Sequence, residues 1–222
     1  MQSIKDIKIK LKKDLENQQG TISISLSNIS IDIHGKDIIG NAIQEWLGSW
    51  FDKNNIQYRI LPNTQEFPDY IIKFNKQESF LEIKTWNYDK GPAFDLANFN
   101  SYIDSLNQNP AKIDADYLIF GYITNEKGFT IKNIYSKKIW ELAGKSSVDP
   151  LKIQKKKGIV YNIRPVSFHK KPETTFKSRK EFLSALAETK KKYKNQGTNI
   201  PDIAKWKEEI LKKYYLITNH QL

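Results

Sequence analysis

The stretch from Phe67 to Trp86, FPDYIIKFNKQESFLEIKTW, places ionisable side chains in two segments that otherwise have the composition of β-strands. Tyr70 to Phe74 follow Pro68-Asp69, the second segment contains Glu82-Ile83-Lys84, and the polar residues between the segments have the length of a hairpin loop. Side chains alternate faces along a strand, so Glu82 and Lys84 share one face. If the strands pair, Asp69 reaches that face as well. The sequence then predicts two carboxylates and one ammonium group on one patch of sheet.

Such a patch suits metal-assisted hydrolysis of a phosphodiester bond. Mg²⁺ prefers hard oxygen ligands and keeps several waters, so two carboxylates, a backbone carbonyl and the substrate phosphate are enough to hold it. The metal polarises the phosphate and acidifies a bound water, while a nearby lysine orients that water or stabilises charge on the phosphorane. Each of the three residue types then has its own role.

At these residues the chain resembles the PD-(D/E)XK nuclease superfamily, and in size its type II restriction endonucleases. The matching text is Pro68-Asp69, twelve intervening residues, and Glu82-Ile83-Lys84. The resemblance implies that Asp69, Glu82 and the carbonyl of Ile83 bind Mg²⁺. It also implies that Lys84 assists the attacking water. Many members carry an acidic residue on the helix before the hairpin, and Glu45 is similar in placement, although a solvated helix position explains it equally well.

The same resemblance implies an α/β fold with a central mixed sheet flanked by helices. The predicted order of a helix over 35–54, a strand over 57–61 and two catalytic strands matches the family core, so residues 35–135 are assigned as the catalytic core. A homodimer is expected, each subunit cutting one strand of a short, palindromic site in double-stranded DNA. A cognate DNA methyltransferase is expected in the same system, but not as a stable partner.

Length and composition favour one folded domain over residues 1–222. Hydrophobic residues make up 39% of the chain and aromatic residues 12%, which is enough for a substantial core. The absence of cysteine excludes disulfide scaffolds and thiolate zinc sites, and it fits a reducing compartment. No signal peptide and no membrane-spanning segment is indicated, so a cytoplasmic location is expected.

Positive charge is concentrated in the second half of the chain. Residues 1–111 carry 12 Lys/Arg and 14 Asp/Glu, residues 112–222 carry 24 and 11, and residues 152–194 carry 14 and 3. This asymmetry indicates a polyanionic partner, since basic side chains displace the counterions condensed on nucleic acid. The alternative explanation of the basic residues is an AT-rich genome that places many lysines on solvated surfaces. Contacts to DNA phosphates and bases are predicted for Lys155, Lys156, Lys157, Asn162, Arg164, Lys170 and Lys171.

The remaining periodicities predict the elements around the hairpin. Alternation over 21–33 fits a core strand, but its Ser and Asn residues make an edge strand or an extended arm an equal alternative. The apolar run 116–123 is typical of a buried central strand. Residues 158–166 strongly favour a core strand, and a role in contacting DNA is compatible with it. Helices are predicted over 1–19, 93–106, 137–143, 178–194 and 202–217, and strands also over 129–135.

Two other functions stay open on the sequence. One is a repair or junction-resolving nuclease of the same superfamily, which would read DNA structure instead of sequence. The other is a non-catalytic DNA-binding protein in which the motif is accidental. The three histidines lie far apart in the chain, and neither a P-loop nor a serine-hydrolase motif is present.

Overall fold

The computed structural model describes residues 3–33, 35, 38–63, 66–75 and 77–220, and the chain divides into two compact units. The first unit comprises Met1–Pro92 and Asp116–Lys137, and the second comprises Ala93–Ala115 and Lys138–Leu222. Each unit has its own sheet and helices. The assignment of the whole chain to one domain stays a prediction.

The described residues contain α-helices and β-strands in alternation, as an α/β protein does. In chain order the elements are α1 Ile4–Leu15, β1 Gln19–Gly20, β2 Ser23–Leu26, β3 Ile29–Asp32, α2 Ile39–Lys53, β4 Tyr58–Arg59, β5 Tyr70–Phe74, β6 Gln77–Asn87, β7 Ala97–Asn98, α3 Phe99–Gln108, β8 Asp116–Asn125, β9 Gly128–Lys138, β10 Ile153–Lys156, β11 Ile159–Ile163, α4 Arg179–Lys192 and α5 Ile203–Thr218.

The first unit is built on a six-stranded sheet in the order β1-β9-β8-β6-β5-β4. β6 and β8 run parallel, whereas β5 is antiparallel to both β6 and β4, so the sheet is mixed as predicted. β8 is buried along most of its length, which confirms the central strand expected over 116–123. The predicted fold class is therefore confirmed.

β5 and β6 form the hairpin predicted between Phe67 and Trp86. The antiparallel register pairs Tyr70 with Leu81. β6 extends beyond the predicted residues 79–86 because it pairs with β5 over its first half and with β8 over its second half. This succession of partners fixes residues 81–87 in the middle of the sheet.

α1 and α2 pack on this sheet through the apolar stripes that their sequences predict. Ile4, Ile7 and Leu11 of α1 are buried, and Ser3 caps the helix by accepting a hydrogen bond from the backbone N–H of Asp6. α2 begins at Ile39 rather than at residue 35; residues 36 and 37 lie outside the described residues. Its buried residues are Ile39, Ile43, Leu47, Gly48, Trp50 and Phe51.

Trp46 of α2 is a large apolar residue that lies outside the buried stripe of the helix. Its side chain is 42% exposed. The helical period turns position 46 to the edge of the stripe, while Ile43, Leu47 and Trp50 face the core. A large aromatic surface is therefore left facing outward.

β2 and β3 form a separate two-stranded antiparallel hairpin. Ile24 lies opposite Ile31, and Leu26 lies opposite Ile29. Every residue of both strands is exposed. Of the alternatives for residues 21–33, the core strand is therefore wrong.

The second unit combines the three-stranded antiparallel sheet β10-β11-β7 with α3, α4 and α5. Two predicted helices are shorter than expected. The helix predicted from residue 93 begins at Phe99, where the side chain of Asn98 caps it. The helix predicted over 137–143 is a 3₁₀ turn, Ile139–Glu141, because β9 continues to Lys138. No helix in the described part of the chain is long and apolar enough to cross a membrane.

Candidate active site

Asp69 and Glu82 are joined across the β5–β6 hairpin by hydrogen bonds to each other's backbone segments. The backbone N–H of Asp69 donates to Oε2 of Glu82 at 3.2 Å, and the N–H of Ile83 donates to Oδ2 of Asp69 at 2.7 Å. The register sets this arrangement. Because Tyr70 pairs with Leu81 in antiparallel strands, Asp69 lies opposite Glu82. The two carboxylates are therefore held side by side, as the sequence predicts.

Lys84 completes the predicted group. Its Nζ lies 2.7 Å from Oε1 of Glu82, and the side chains are 21% and 11% exposed. The two residues share a face of β6 because they are two positions apart in one strand. Each oxygen of Glu82 therefore accepts a hydrogen bond, one from an ammonium group and one from a backbone amide.

Gln44 of α2 contacts the site, and sequence reasoning missed it. Its Nε2 donates to Oδ1 of Asp69 at 3.2 Å, and its backbone carbonyl accepts a 2.7 Å hydrogen bond from the hydroxyl of Tyr70. Glu45, the helix residue predicted for this position, is exposed. Its catalytic role stays a prediction.

Glycine spacing on α2 is the sequence signal that points to Gln44. Gly40, Gln44 and Gly48 follow one another at intervals of four, so they lie along one face of the helix. A Cβ atom added at Gly40 would lie 3.1 Å from Oγ1 of Thr85, and one added at Gly48 would lie 3.2 Å from the hydroxyl of Tyr58. The absence of side chains at both positions lets this face approach the sheet closely, which brings Gln44 to Asp69.

Burial controls the protonation of both carboxylates. It raises the pKa of Glu82 to about 7, against the lowering effect of Lys84; the negative charge of Asp69 adds to the rise. Burial likewise raises the pKa of Asp69, while the Ile83 amide, Lys84 and Gln44 lower it. The positive charge around the two carboxylates is therefore too small to offset the cost of burying their ionised forms.

The donor set fits a hard divalent cation. No group of three His, Cys, Asp or Glu side chains suited to a metal occurs within the described ranges, and the two carboxylates in the hydrogen-bonded group are those of Asp69 and Glu82. Mg²⁺ commonly binds through one or two carboxylates and completes its shell with waters and substrate phosphate. A cation would also supply the charge that the raised pKa values of the two carboxylates indicate is missing. The carbonyl of Ile83 as a further ligand stays a prediction.

Lys155, Lys156 and Lys157, three of the five lysines predicted to bind DNA, lie on the β10–β11 hairpin of the second unit. Lys155 Nζ lies 3.3 Å from Oδ2 of the buried Asp149, and Lys156 Nζ lies 3.7 Å from the centre of the Tyr161 ring. Lys157 is exposed in the two-residue turn, where its φ is 51° and that of the following glycine is 81°. Positive φ at both turn positions matches the twist of the strands.

The predicted base-reading residues are already engaged within the second unit. Asn162 is buried and donates to Oε1 of Gln154 at 3.2 Å, and Arg164 bonds to Asp95 and to the carbonyl of Ala93. Strand packing explains these contacts without DNA. Lys170 and Lys171 are exposed. The DNA contacts of all these residues stay predictions.

A family model and two restriction enzymes match this chain. The family model of the NgoBV restriction endonuclease matches residues 1–222. The type II restriction enzyme NlaIV of Neisseria lactamica is 38% identical over 204 residues, covering 88% of this chain and 83% of that protein. The type II restriction enzyme NgoBV of Neisseria gonorrhoeae is 35% identical over 125 residues, covering 55% of this chain and 71% of that protein.

A solved structure extends the agreement to the fold. The NlaIV restriction endonuclease matches 100% of this chain and 92% of its own with a TM-score of 0.86 and 31% sequence identity. Of the three functions left open by the sequence, restriction is the one that these relatives share. The chain therefore belongs to the NgoBV restriction endonuclease family: it is a type II restriction endonuclease, a site-specific deoxyribonuclease, and the family indicates a divalent metal cofactor.

Proposed function

We propose that this endonuclease depends on Mg²⁺ and that it acts as a homodimer on a short, palindromic site in double-stranded DNA. Asp69 and Glu82 would hold the cation, with Lys84 beside them. The observation that carries this assignment is the connected group of hydrogen bonds from the Ile83 amide to Asp69, from the Asp69 amide to Glu82, and from Lys84 to Glu82. Asp, Glu and Lys of the motif thus belong to one partly buried cluster in which Glu82 is linked both to Lys84 and to the Asp69 segment.

The roles of the side chains follow from their charges and contacts. A bound Mg²⁺ supplies Lewis acidity towards the phosphate and lowers the pKa of a bound water. Lys84 presents an ammonium group that orients the attacking water and stabilises negative charge on the phosphorane. Gln44 fixes the orientation of Asp69 by donating to Oδ1. Hydrolysis forms a bond from water oxygen to phosphorus and breaks one phosphorus–oxygen ester bond of the strand.

Glu45 and the basic residues of the second unit belong to the proposal with different roles. Glu45 is an exposed carboxylate one position after Gln44, available to the site through water. Phosphate contacts are proposed for the lysines and base contacts for the polar strand residues. The residues proposed to contact DNA are Lys155, Lys156, Lys157, Asn162, Arg164, Lys170 and Lys171.

The biological setting is also part of the proposal. We place the enzyme in the cytoplasm, where it would meet invading DNA, together with a cognate methyltransferase that protects the host sites without binding the enzyme stably. Loss of cell viability on expression without that methyltransferase, and survival with Lys84→Ala, would support this setting. Equal viability with the active and inactive chains would contradict it.

Cleavage of plasmid and phage DNA tests the catalytic proposal. The purified protein is incubated with each DNA in Mg²⁺ or in EDTA, alongside Lys84→Ala and the matched control Lys73→Ala, which changes an exposed lysine of β5. We expect discrete fragments that require Mg²⁺, are absent with Lys84→Ala and persist with Lys73→Ala. Fragment ends mapped on both strands should be related by a two-fold axis. Undiminished cutting by Lys84→Ala would overturn the assignment.

A further inference from the structure

The β2–β3 hairpin presents an apolar face that the described residues leave exposed. The side chains of Ile24, Leu26, Ile29 and Ile31 are 44%, 72%, 70% and 57% exposed. Their cross-strand pairing puts all four on one face, whereas Ser25 and Ser30 pair through their hydroxyl oxygens, 2.8 Å apart, on the other. A lone two-stranded hairpin is marginally stable in water, so this face needs a surface to cover it.

The composition of the hairpin indicates what kind of surface that is. Residues 21–33 include one charged side chain, Asp32, in a chain of which 27% is charged. No lysine or arginine is present there to meet DNA phosphates, and the single carboxylate would repel them. An apolar protein surface therefore fits the hairpin, and a polyanion does not.

The same unit contains a recess of about 440 Å³ next to the base of the hairpin. Ile22 and Ser23, where the hairpin begins, form part of its wall, so the recess and the hairpin make one continuous surface. The other apolar side chains at the recess include Leu15, Ile43, Trp46, Phe129 and Ile131. No charged residue lines it within the described ranges. The outward-facing Trp46, at the edge of the buried stripe of α2, gives this recess an aromatic wall.

We propose that the hairpin is a dimerisation arm whose apolar face packs against the recess of a second copy of the chain. The inference rests on the proposed homodimer and names its contact surface. Each copy carries both the projecting apolar face and the recess, so one two-fold rotation covers both pairs at once. A second copy also fits the activity, because each chain supplies one group of Asp69, Glu82 and Lys84 while a duplex has two strands to cut.

Sedimentation velocity over a range of concentrations, without DNA or metal, tests the arm. The variant Leu26→Glu/Ile29→Glu puts two carboxylates on the apolar face, and the control Ser25→Glu/Ser30→Glu puts two on the polar face. Both pairs are directly opposite, so both hairpins carry the same cross-strand repulsion. We expect the first variant to raise the Kd of dimerisation about a hundredfold or more and the control to change it little. Equal dimerisation by the two variants would overturn the proposal that the apolar face of the hairpin forms the dimer contact.

Cross-linking of single-cysteine variants, which are milder substitutions, tests whether the arm packs against the recess of the second copy. The chain has no cysteine, so single-cysteine variants can be mixed and joined with a short bismaleimide. An equimolar mixture of Leu26→Cys and Ala42→Cys chains should give a covalent dimer with one chain of each kind, because Ala42 lines the recess. A mixture of Ser25→Cys with Ala42→Cys should give at least about tenfold less. Equal yields from the two mixtures would overturn the proposal that the arm packs against the recess.

These measurements separate the arm from the catalytic proposal. A wild-type chain that stays monomeric at every concentration overturns the arm and leaves the roles of Asp69, Glu82 and Lys84 intact. A wild-type dimer that Leu26→Glu/Ile29→Glu dissociates supports the arm even when no DNA is cut, and failure to cut then counts against the catalytic proposal alone.

Discussion

The ammonium group of Lys84 lies 2.7 Å from a carboxylate oxygen of Glu82, two residues before it on the same face of β6. Both side chains are mostly withdrawn from water, so salt screens this pair less than it screens a surface ion pair. The lysine proposed to act on the attacking water is thus positioned by one of the carboxylates proposed to hold the metal. A change at Glu82 is therefore expected to affect both functions.

Glu82→Gln should abolish cleavage and spare DNA binding. The substitution preserves the size of the side chain and removes the charge that would hold Mg²⁺, so we expect cleavage to fall by at least about a hundredfold. DNA affinity measured in EDTA should stay equal or rise, because a carboxylate that repels phosphate is gone. Gel cleavage and a binding titration with the same DNA give the two readouts.

The control for this prediction is Glu78→Gln. Glu78 is an exposed residue of the same strand, paired with Arg59 at 3.0 Å. It should keep full cleavage, since exposed ion pairs contribute little and this one is outside the group of catalytic side chains. Mg²⁺-dependent cutting retained by Glu82→Gln would remove Glu82 from the metal site.

The stability of the metal-free protein should depend on pH through Glu82. Burial raises the pKa of this carboxyl from 4.5 to about 7, so the folded chain keeps a proton that the unfolded chain releases at lower pH. The free energy of unfolding should therefore fall as the pH rises from about 4.5 to about 7. Glu82→Gln cannot lose that proton, so its Tm should exceed that of the wild type at pH 8, and the difference should shrink towards pH 5. A difference in Tm that is the same at both pH values would contradict the raised pKa.

Added Mg²⁺ should offset this loss of stability. A cation that binds the folded chain and not the unfolded chain raises Tm, and it must displace the proton held by Glu82. We expect the Mg²⁺-induced rise in Tm of the wild type to be larger at pH 8 than at pH 6 and to be absent in Glu82→Gln. A rise of the same size in the variant would place the bound cation elsewhere.

Gln44→Ala should weaken the metal site without removing it. Gln44 orients Asp69 through a 3.2 Å hydrogen bond, and loss of such a partner typically lowers metal affinity about 10- to 100-fold. Cleavage should therefore need a correspondingly higher Mg²⁺ concentration and recover at saturation. Glu45→Gln in the same titration tests the residue predicted from the sequence, and we expect a smaller shift because that side chain is exposed. A larger shift for Glu45→Gln would reverse the two assignments.

The part of the site that was predictable from the sequence is the part confined to one hairpin. Asp69, Glu82 and Lys84 lie within a short stretch, where strand alternation and antiparallel pairing alone bring the three side chains together. Gln44 reaches the site only through the packing of α2 on the sheet, which depends on tertiary structure. Its neighbour Glu45 is indicated instead by the resemblance to nucleases that carry an acidic residue on this helix.

The errors in the fold have the same origin. Pairing in the sheet carries β9 through to Lys138, which overrides the helical periodicity of residues 137–143. Contacts between neighbouring strands also determine that Asn162 is buried beside Gln154, since β11 lies between two strands; its contact with DNA bases stays a prediction. Local sequence patterns predicted where the elements lie, whereas contacts with neighbouring elements determined where they end and which of their faces are exposed.

The three lysines of the β10–β11 hairpin should contribute unequally to DNA binding. All three are exposed, but Lys155 is paired with Asp149, a carboxylate that it shares with Lys192, whereas Lys156 lies over the Tyr161 ring and Lys157 lies in the turn. Each phosphate contact that is lost reduces the slope of log affinity against log salt by about 0.9. We expect Lys156→Ala/Lys157→Ala to reduce that slope by up to about 2, and Lys155→Ala to change it less.

The control Lys5→Ala/Lys13→Ala removes two exposed lysines of α1 and should leave the slope unchanged. A full reduction by Lys155→Ala would mean that DNA phosphates displace Asp149, and an unchanged slope in Lys156→Ala/Lys157→Ala would move the phosphate contacts to another part of the chain.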